Sequence, residues 1–87
     1  MDISELRGKI DGIDDGLVGL FSERMSVSAD IAKVKSQKGL PVHDSERERQ
    51  KLDDVLSKTD PELREYVSAL YTKIFELSRS YQERVNE

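Results

Sequence analysis

Four cations, a carboxylate and a pair of neutral hydrogen-bonding side chains are the residues of this 87-residue chain that could do chemistry together. Arg24 comes first, because it interrupts an apolar seam. Reading every third and fourth residue gives Ile3, Leu6, Ile10, Ile13, Leu17, Leu20, Arg24, Val27, Ile31 and Val34, a heptad rhythm with a guanidinium where a leucine belongs. Its helical neighbours Leu20, Phe21, Val27 and Ser28 offer no carboxylate, and an unpaired buried charge is costly, so the counter-charge must come from elsewhere. An acid on another helix, a register-setting place in a dimer seam, and a bound anion all satisfy that demand.

Lys35 lies eleven residues on, about three helical turns plus 20°, and so shares the face of Arg24 at roughly 16 Å along the axis. Two long side chains bending toward each other across that span leave a gap the size of a small dianion. Arg7 sits about 25 Å from Arg24 and cannot join it within one helix. In an antiparallel pair of first helices, Arg7 of one subunit comes alongside Arg24 of the other. Further along, Glu48 with Arg47 beside it and Asp44 one turn earlier supplies a carboxylate and another guanidinium, while Ser78 and Gln82 are one turn apart. No nucleophile with a base, metal cluster or GxxxxGK loop accompanies them. Arginines, a lysine, a glutamate and a glutamine still suit a reaction without a covalent intermediate, holding carboxylates and stabilising charge that develops on an oxygen.

Composition narrows the class. Charged residues make up 37 % and hydrophobic ones 36 %, with two prolines and no tryptophan, the balance of a helix-rich soluble chain. A net charge of -4 argues against a general phosphate-backbone binder, although positive charge can be focused in a cleft. Without cysteine there is no disulfide or thiolate chemistry, and the single histidine, His43, is read as a surface residue. No apolar run reaches membrane-span length, and the first residues do not resemble a signal segment, so a cytoplasmic, single-domain protein (1–87) without metal or cofactor is expected.

The elements that position these groups are three helices, an all-α fold. Helix 1 is predicted from Ile3 to about Lys38, with Gly39 just past its end and Pro41 beyond. Helix 2 is capped by Asp44 or Ser45, with Ser45 and Glu48 matching a capping box, and runs to about Ser57 with Glu48, Leu52, Val55 and Leu56 inward. Asp60 and Pro61 start helix 3, whose seam is Leu63, Val67, Leu70, Ile74, Leu77, Tyr81 and Val85, with a second column of Tyr71, Phe75, Ser78 and Gln82 beside it. Helices 2 and 3 are expected to pack along the axis of helix 1. That helix is about 54 Å long against a compact globule of about 30 Å, so a homodimer built on paired first helices is predicted. Gly8, Gly12, Gly16 and Gly19 fall outside the seam, each with a helix penalty of roughly 1 kcal/mol and no evident function.

The pattern Leu6-Arg7 with Ile10, Asp11 and Asp14, then Glu23-Arg24, Ile31-Ala32-Lys33-Val34-Lys35, Pro41-Val42-His43-Asp44, Arg47-Glu48 and finally Ser78 with Gln82 resembles the AroQ-class chorismate mutases over about residues 3 to 83. The resemblance implies an intertwined all-helical homodimer and the Claisen rearrangement of chorismate to prephenate, the step committed to phenylalanine and tyrosine. It assigns the substrate's two carboxylates to Arg24 and the partner's Arg7, and the ether oxygen to Lys35 and Gln82. Glu48 would accept from the ring hydroxyl, aided by the backbone at Asp44, while Arg47 and Ser78 complete the pocket. The helix 1 glycines depart from the family and bear on stability. With no further domain, an unregulated monofunctional enzyme is expected unless it associates with another protein. Two competing readings are a sister activity, isochorismate pyruvate lyase, and a non-catalytic helical dimerisation module.

Overall fold

A computed structural model describes residues 2–87, and Met1, part of the expected domain span and of the signal-segment reading, lies outside them. Helices α1 (Ile3–Gln37), α2 (Ser45–Ser57) and α3 (Arg64–Val85), with a single 3-10 turn Pro61–Leu63 leading into α3, make up the architecture; no strand occurs among the described residues. Among the described residues no helix is long and apolar enough to cross a membrane.

Each boundary has a local cause. Asp2 begins α1 as its N-cap, its carboxylate accepting from the Glu5 backbone N–H at 2.9 Å. At the other end Gly39 takes φ +68°, the left-handed conformation that suits glycine. Leu40 N–H then donates to Lys35 O at 2.8 Å and Gly39 N–H to Ser36 O at 3.2 Å, the pair of bonds that define a Schellman stop. Asp44, rather than Ser45, caps α2, accepting from Arg47 N–H at 3.0 Å. The expected capping box does not form, because the Glu48 carboxylate turns away to α3. Asp60 precedes Pro61 as expected, but it opens the 3-10 turn, and its side chain makes no capping bond.

Three hydrogen bonds set the packing of α1 on α3. Arg24 reaches Ser78, Gln82 reaches the carbonyl of Ser28, and Asn86 reaches the carbonyl of Ala32. Matched four-residue steps in one direction mean that the two helices run parallel. The buried residues are Ser28, Ala29 and Ala32 on α1 and Phe75, Ser78 and Gln82 on α3. Small side chains let the backbones approach closely enough for side-chain amides to reach main-chain carbonyls, whose second lone pair is free to accept.

This corrects the expected packing. On α3 the residues buried against α1 are Phe75, Ser78 and Gln82 of the second column, while the apolar seam is only partly covered, with Val67, Ile74 and Val85 half-buried and Leu70 50 % exposed. On α1 the intrachain face is likewise displaced by one residue from the heptad seam. α2 packs against α3 and not along α1. The chain extends 55 × 26 × 15 Å with a radius of gyration of 16.0 Å, against roughly 12 Å for a compact domain of this length. Ile3, Leu6, Ile10, Ile13, Leu17 and Leu20 are all exposed, Leu20 by 68 %.

Candidate active site

A cleft of about 320 Å³ opens where the C-terminal half of α1, the first turns of α2 and the C-terminal half of α3 meet. It is lined by Arg24, Ser28, Lys35, Asp44, Arg47, Glu48, Lys51, Ser78, Arg79 and Gln82, with Val27, Ile31, Val42 and Phe75 as its apolar wall. Seven of the eight site residues expected from the sequence therefore share one cavity. The exception is Arg7, on the exposed N-terminal half of α1, which is not among the lining residues.

Arg24 is held without being neutralised. Its Nη1 donates to Ser78 Oγ at 3.0 Å, and its guanidinium carbon lies 5.9 Å from the centroid of the Phe75 ring, within cation–π range. Ser78 in turn donates to Met25 Sδ at 3.7 Å. None of the described carboxylates lies within 4.0 Å of Arg24, so the acid on another helix is not found within the chain.

Lys35 is placed by the end of its helix. The Schellman turn folds the chain back, and Lys35 Nζ donates to Val42 O at 3.0 Å across that turn. An ammonium has three donors, so two remain for a ligand. Arg47, like Lys35, has no carboxylate within 4.0 Å among the described residues. Asp44 uses its carboxylate as the α2 cap and sits at the cleft rim.

Gln82, only 8 % exposed, donates through Nε2 to Ser28 O at 2.9 Å, which fixes the amide plane and leaves its second N–H available. Ser78 and Gln82 are thus buried parts of the helix interface. His43 keeps the exposure expected of it, at 56 % of its side chain, with Nε2 3.8 Å from Glu48 Oε1.

Two lining residues escaped the sequence reading, Arg79 and Lys51. Arg79 Nη1 lies 2.6 Å from both carboxylate oxygens of Glu48, bridging α3 to α2. Its signal was its place one residue past Ser78 and one turn past Phe75, which turns it from α1 toward α2. Lys51 pairs with Asp54 at 3.6 Å and lies one turn along α2 from Arg47.

Five cationic side chains thus face two carboxylates in the lining of a chain whose net charge is -4. Three of the five, Arg24, Lys35 and Arg47, lack a carboxylate partner among the described residues. Such an arrangement attracts an anion with more than one charge and offers donors fixed by packing. No group of three or more His, Asp or Glu side chains that could hold a metal ion is assembled among the described residues.

Comparison with known proteins agrees in type. A chorismate mutase from Methanocaldococcus jannaschii is 45 % identical over 47 residues, 54 % of this chain and 48 % of that protein. A bifunctional chorismate mutase/prephenate dehydratase from Aquifex aeolicus is 38 % identical over 55 residues, 63 % of this chain and 15 % of that protein. The T-protein of Haemophilus influenzae is 41 % identical over 46 residues, 53 % of this chain and 12 % of that protein. The matches thus span about half the length of the first relative and far less of the other two. The family model described as chorismate mutase type II matches residues 6–83, a stretch that takes in every residue lining the cleft. With a match that runs from the first helix to the last turns of the third, the chain belongs to the chorismate mutase type II family.

Proposed function

We propose that the cleft binds chorismate and rearranges it to prephenate, in a homodimer whose two sites each take Arg7 from the partner subunit. The observation that carries this reading is Arg24, a half-buried guanidinium anchored by Ser78 and Phe75 yet without a carboxylate among the described residues. Chorismate is a dianion. Arg24 suits one carboxylate, the partner's Arg7 would supply the cation for the other, and Arg47 completes the pocket.

The rearrangement breaks a carbon–oxygen bond and forms a carbon–carbon bond within one molecule, with no proton transferred. It therefore requires no nucleophile or base. What the protein contributes is a clamp on the flexible enolpyruvyl arm and donors at the ether oxygen, where negative charge grows as the bond lengthens. The free N–H groups of Lys35 and Gln82 suit that role. Glu48 accepts from the ring hydroxyl, with the Asp44 backbone nearby, and Ser78 keeps Arg24 in place. Support for the homodimer comes from the open apolar seam of α1, whose Ile3 to Leu20 side chains find no cover within the chain. A cytoplasmic setting is part of the same reading.

Loss of chorismate absorbance with purified protein is the test. The wild-type chain is expected to convert chorismate to prephenate and to release no pyruvate from isochorismate. Lys35→Ala should lower kcat by about 10²- to 10³-fold, the usual effect of removing one donor to a developing oxyanion. Unchanged turnover in that variant would remove Lys35 from the mechanism.

A further inference from the structure

The Arg79–Glu48 contact is the one strong interaction in the cleft that the functional reading leaves without a role. Arg79 Nη1 sits between Glu48 Oε1 and Oε2, 2.6 Å from each. Both side chains are largely covered, 30 % and 24 % exposed. We propose that Arg79 is a positioning residue that sets substrate selectivity through Glu48, a proposal that rests on the chorismate reading above.

The argument starts from the glutamate. Its last torsion is broad and roughly two-fold, so an unrestrained carboxylate swings about its own axis. A guanidinium nitrogen bonded to both oxygens anchors the carboxylate end of Glu48 to α3 and so restricts where the side chain can place it. The carboxylate has about four lone-pair sites, and this clamp occupies two, so an acceptor remains on the cleft side. The position of the carboxylate is then set before a ligand arrives. A ring hydroxyl in the matching position gains a hydrogen bond to a charged acceptor, and a ligand without a hydroxyl there gains nothing.

The other charged groups near Glu48 do not replace the clamp. His43 Nε2 stands at 3.8 Å, Lys51 is paired with Asp54, and the Asp44 carboxylate caps α2. Arg47 shares the first turns of α2, and Lys35 approaches from α1 with its ammonium on Val42 O. A lysine at position 79 would keep the charge, but its flexible stem and rotating ammonium hold the carboxylate in place less firmly than a pre-organised guanidinium.

The experiment compares chorismate with an analogue carrying hydrogen in place of the ring hydroxyl, in the wild-type chain, Arg79→Met and Arg79→Lys. Arg79→Met should lower kcat/KM for chorismate roughly tenfold more than for the analogue, the usual effect of disturbing a hydrogen bond to a charged group. Arg79→Lys should restore part of the chorismate rate and, by keeping the charge on Glu48, gives the comparison in a folded chain if the methionine variant does not fold. A merely structural role slows both substrates alike, and that result, or equal rates in all three proteins, would overturn the assignment while the mutase reading stands. A wild-type chain inert toward chorismate would instead overturn the functional reading and the assignment together.

Discussion

Arg24 is a charge stabilised by geometry rather than by an opposite charge, which separates its effect on function from its effect on folding. Its stem and guanidinium lie against Phe75 and Ser78, contacts that a methionine of similar length partly keeps. Arg24→Met is therefore expected to lower kcat/KM for chorismate by at least about 10²-fold, with thermal melting showing a folded chain. A fall in melting temperature that accounts for the whole loss would make Arg24 structural. Gln82 carries a second residue-level prediction. A neutral amide donates at any ordinary pH, so the wild-type rate should not depend on acid conditions, whereas Gln82→Glu can donate only when its carboxyl is protonated. Its rate should climb as the pH falls toward the carboxylate range; a wild-type rate that climbs steeply only below about pH 6 would contradict the role given to the amide.

Helix α1 is read most easily at its ends, and its ends are what place the site. Gly39 stops the helix and so aims Lys35 at Val42 and the cleft. Gly39→Ala must hold φ +68° with a Cβ, which costs about 1 kcal/mol; urea unfolding should show that loss, along with weaker catalysis if Lys35 shifts. The other four glycines have open space around the position of a Cβ, with nothing within 4 Å inside the chain. Gly12→Ala should therefore stabilise by roughly 0.5 to 1 kcal/mol through helix propensity, and destabilisation instead would mean that the partner helix presses on that face. Both termini and the proline start near helix 3 were legible because capping and turn chemistry act within a few residues. The packing face of α3 was not. A heptad seam announces where an apolar partner belongs, but not whether that partner is in the same chain. Here the chain's own contact uses Ser28, Ala29, Ala32, Ser78 and Gln82, residues whose types suggest an exposed edge until the close approach of two backbones is seen. Arg79 was missed for a related reason: its partner, Glu48, is 31 residues away and meets it only once α2 folds back on α3.

The molecule is 55 Å long and leaves one end of its longest helix uncovered, the end that the proposed homodimer would cover. The cleft residues from Arg24 to Gln82 were visible in sequence because their types and spacing fall on regular helices, and the chain alone assembles them. Arg7 stays on the far half of α1, outside the cleft, and it is the proposed homodimer that would bring it to a site. A two-fold dimer gives each site one Arg24 and the other subunit's Arg7. Leu17→Glu, which puts a charge in the uncovered seam, should yield a monomer by sedimentation and with it the loss of turnover; an active monomer would remove the shared site. The most direct measurement is subunit mixing. Arg7→Ala and Arg24→Ala chains, each nearly inactive alone, are unfolded together and refolded in equal amounts. Random pairing makes half of the dimers mixed, and each mixed dimer has one site with both arginines intact and one with neither. Chorismate turnover should therefore recover to about a quarter of the wild-type value. A mixture no more active than its two components would show that Arg7 and Arg24 do not meet across the dimer.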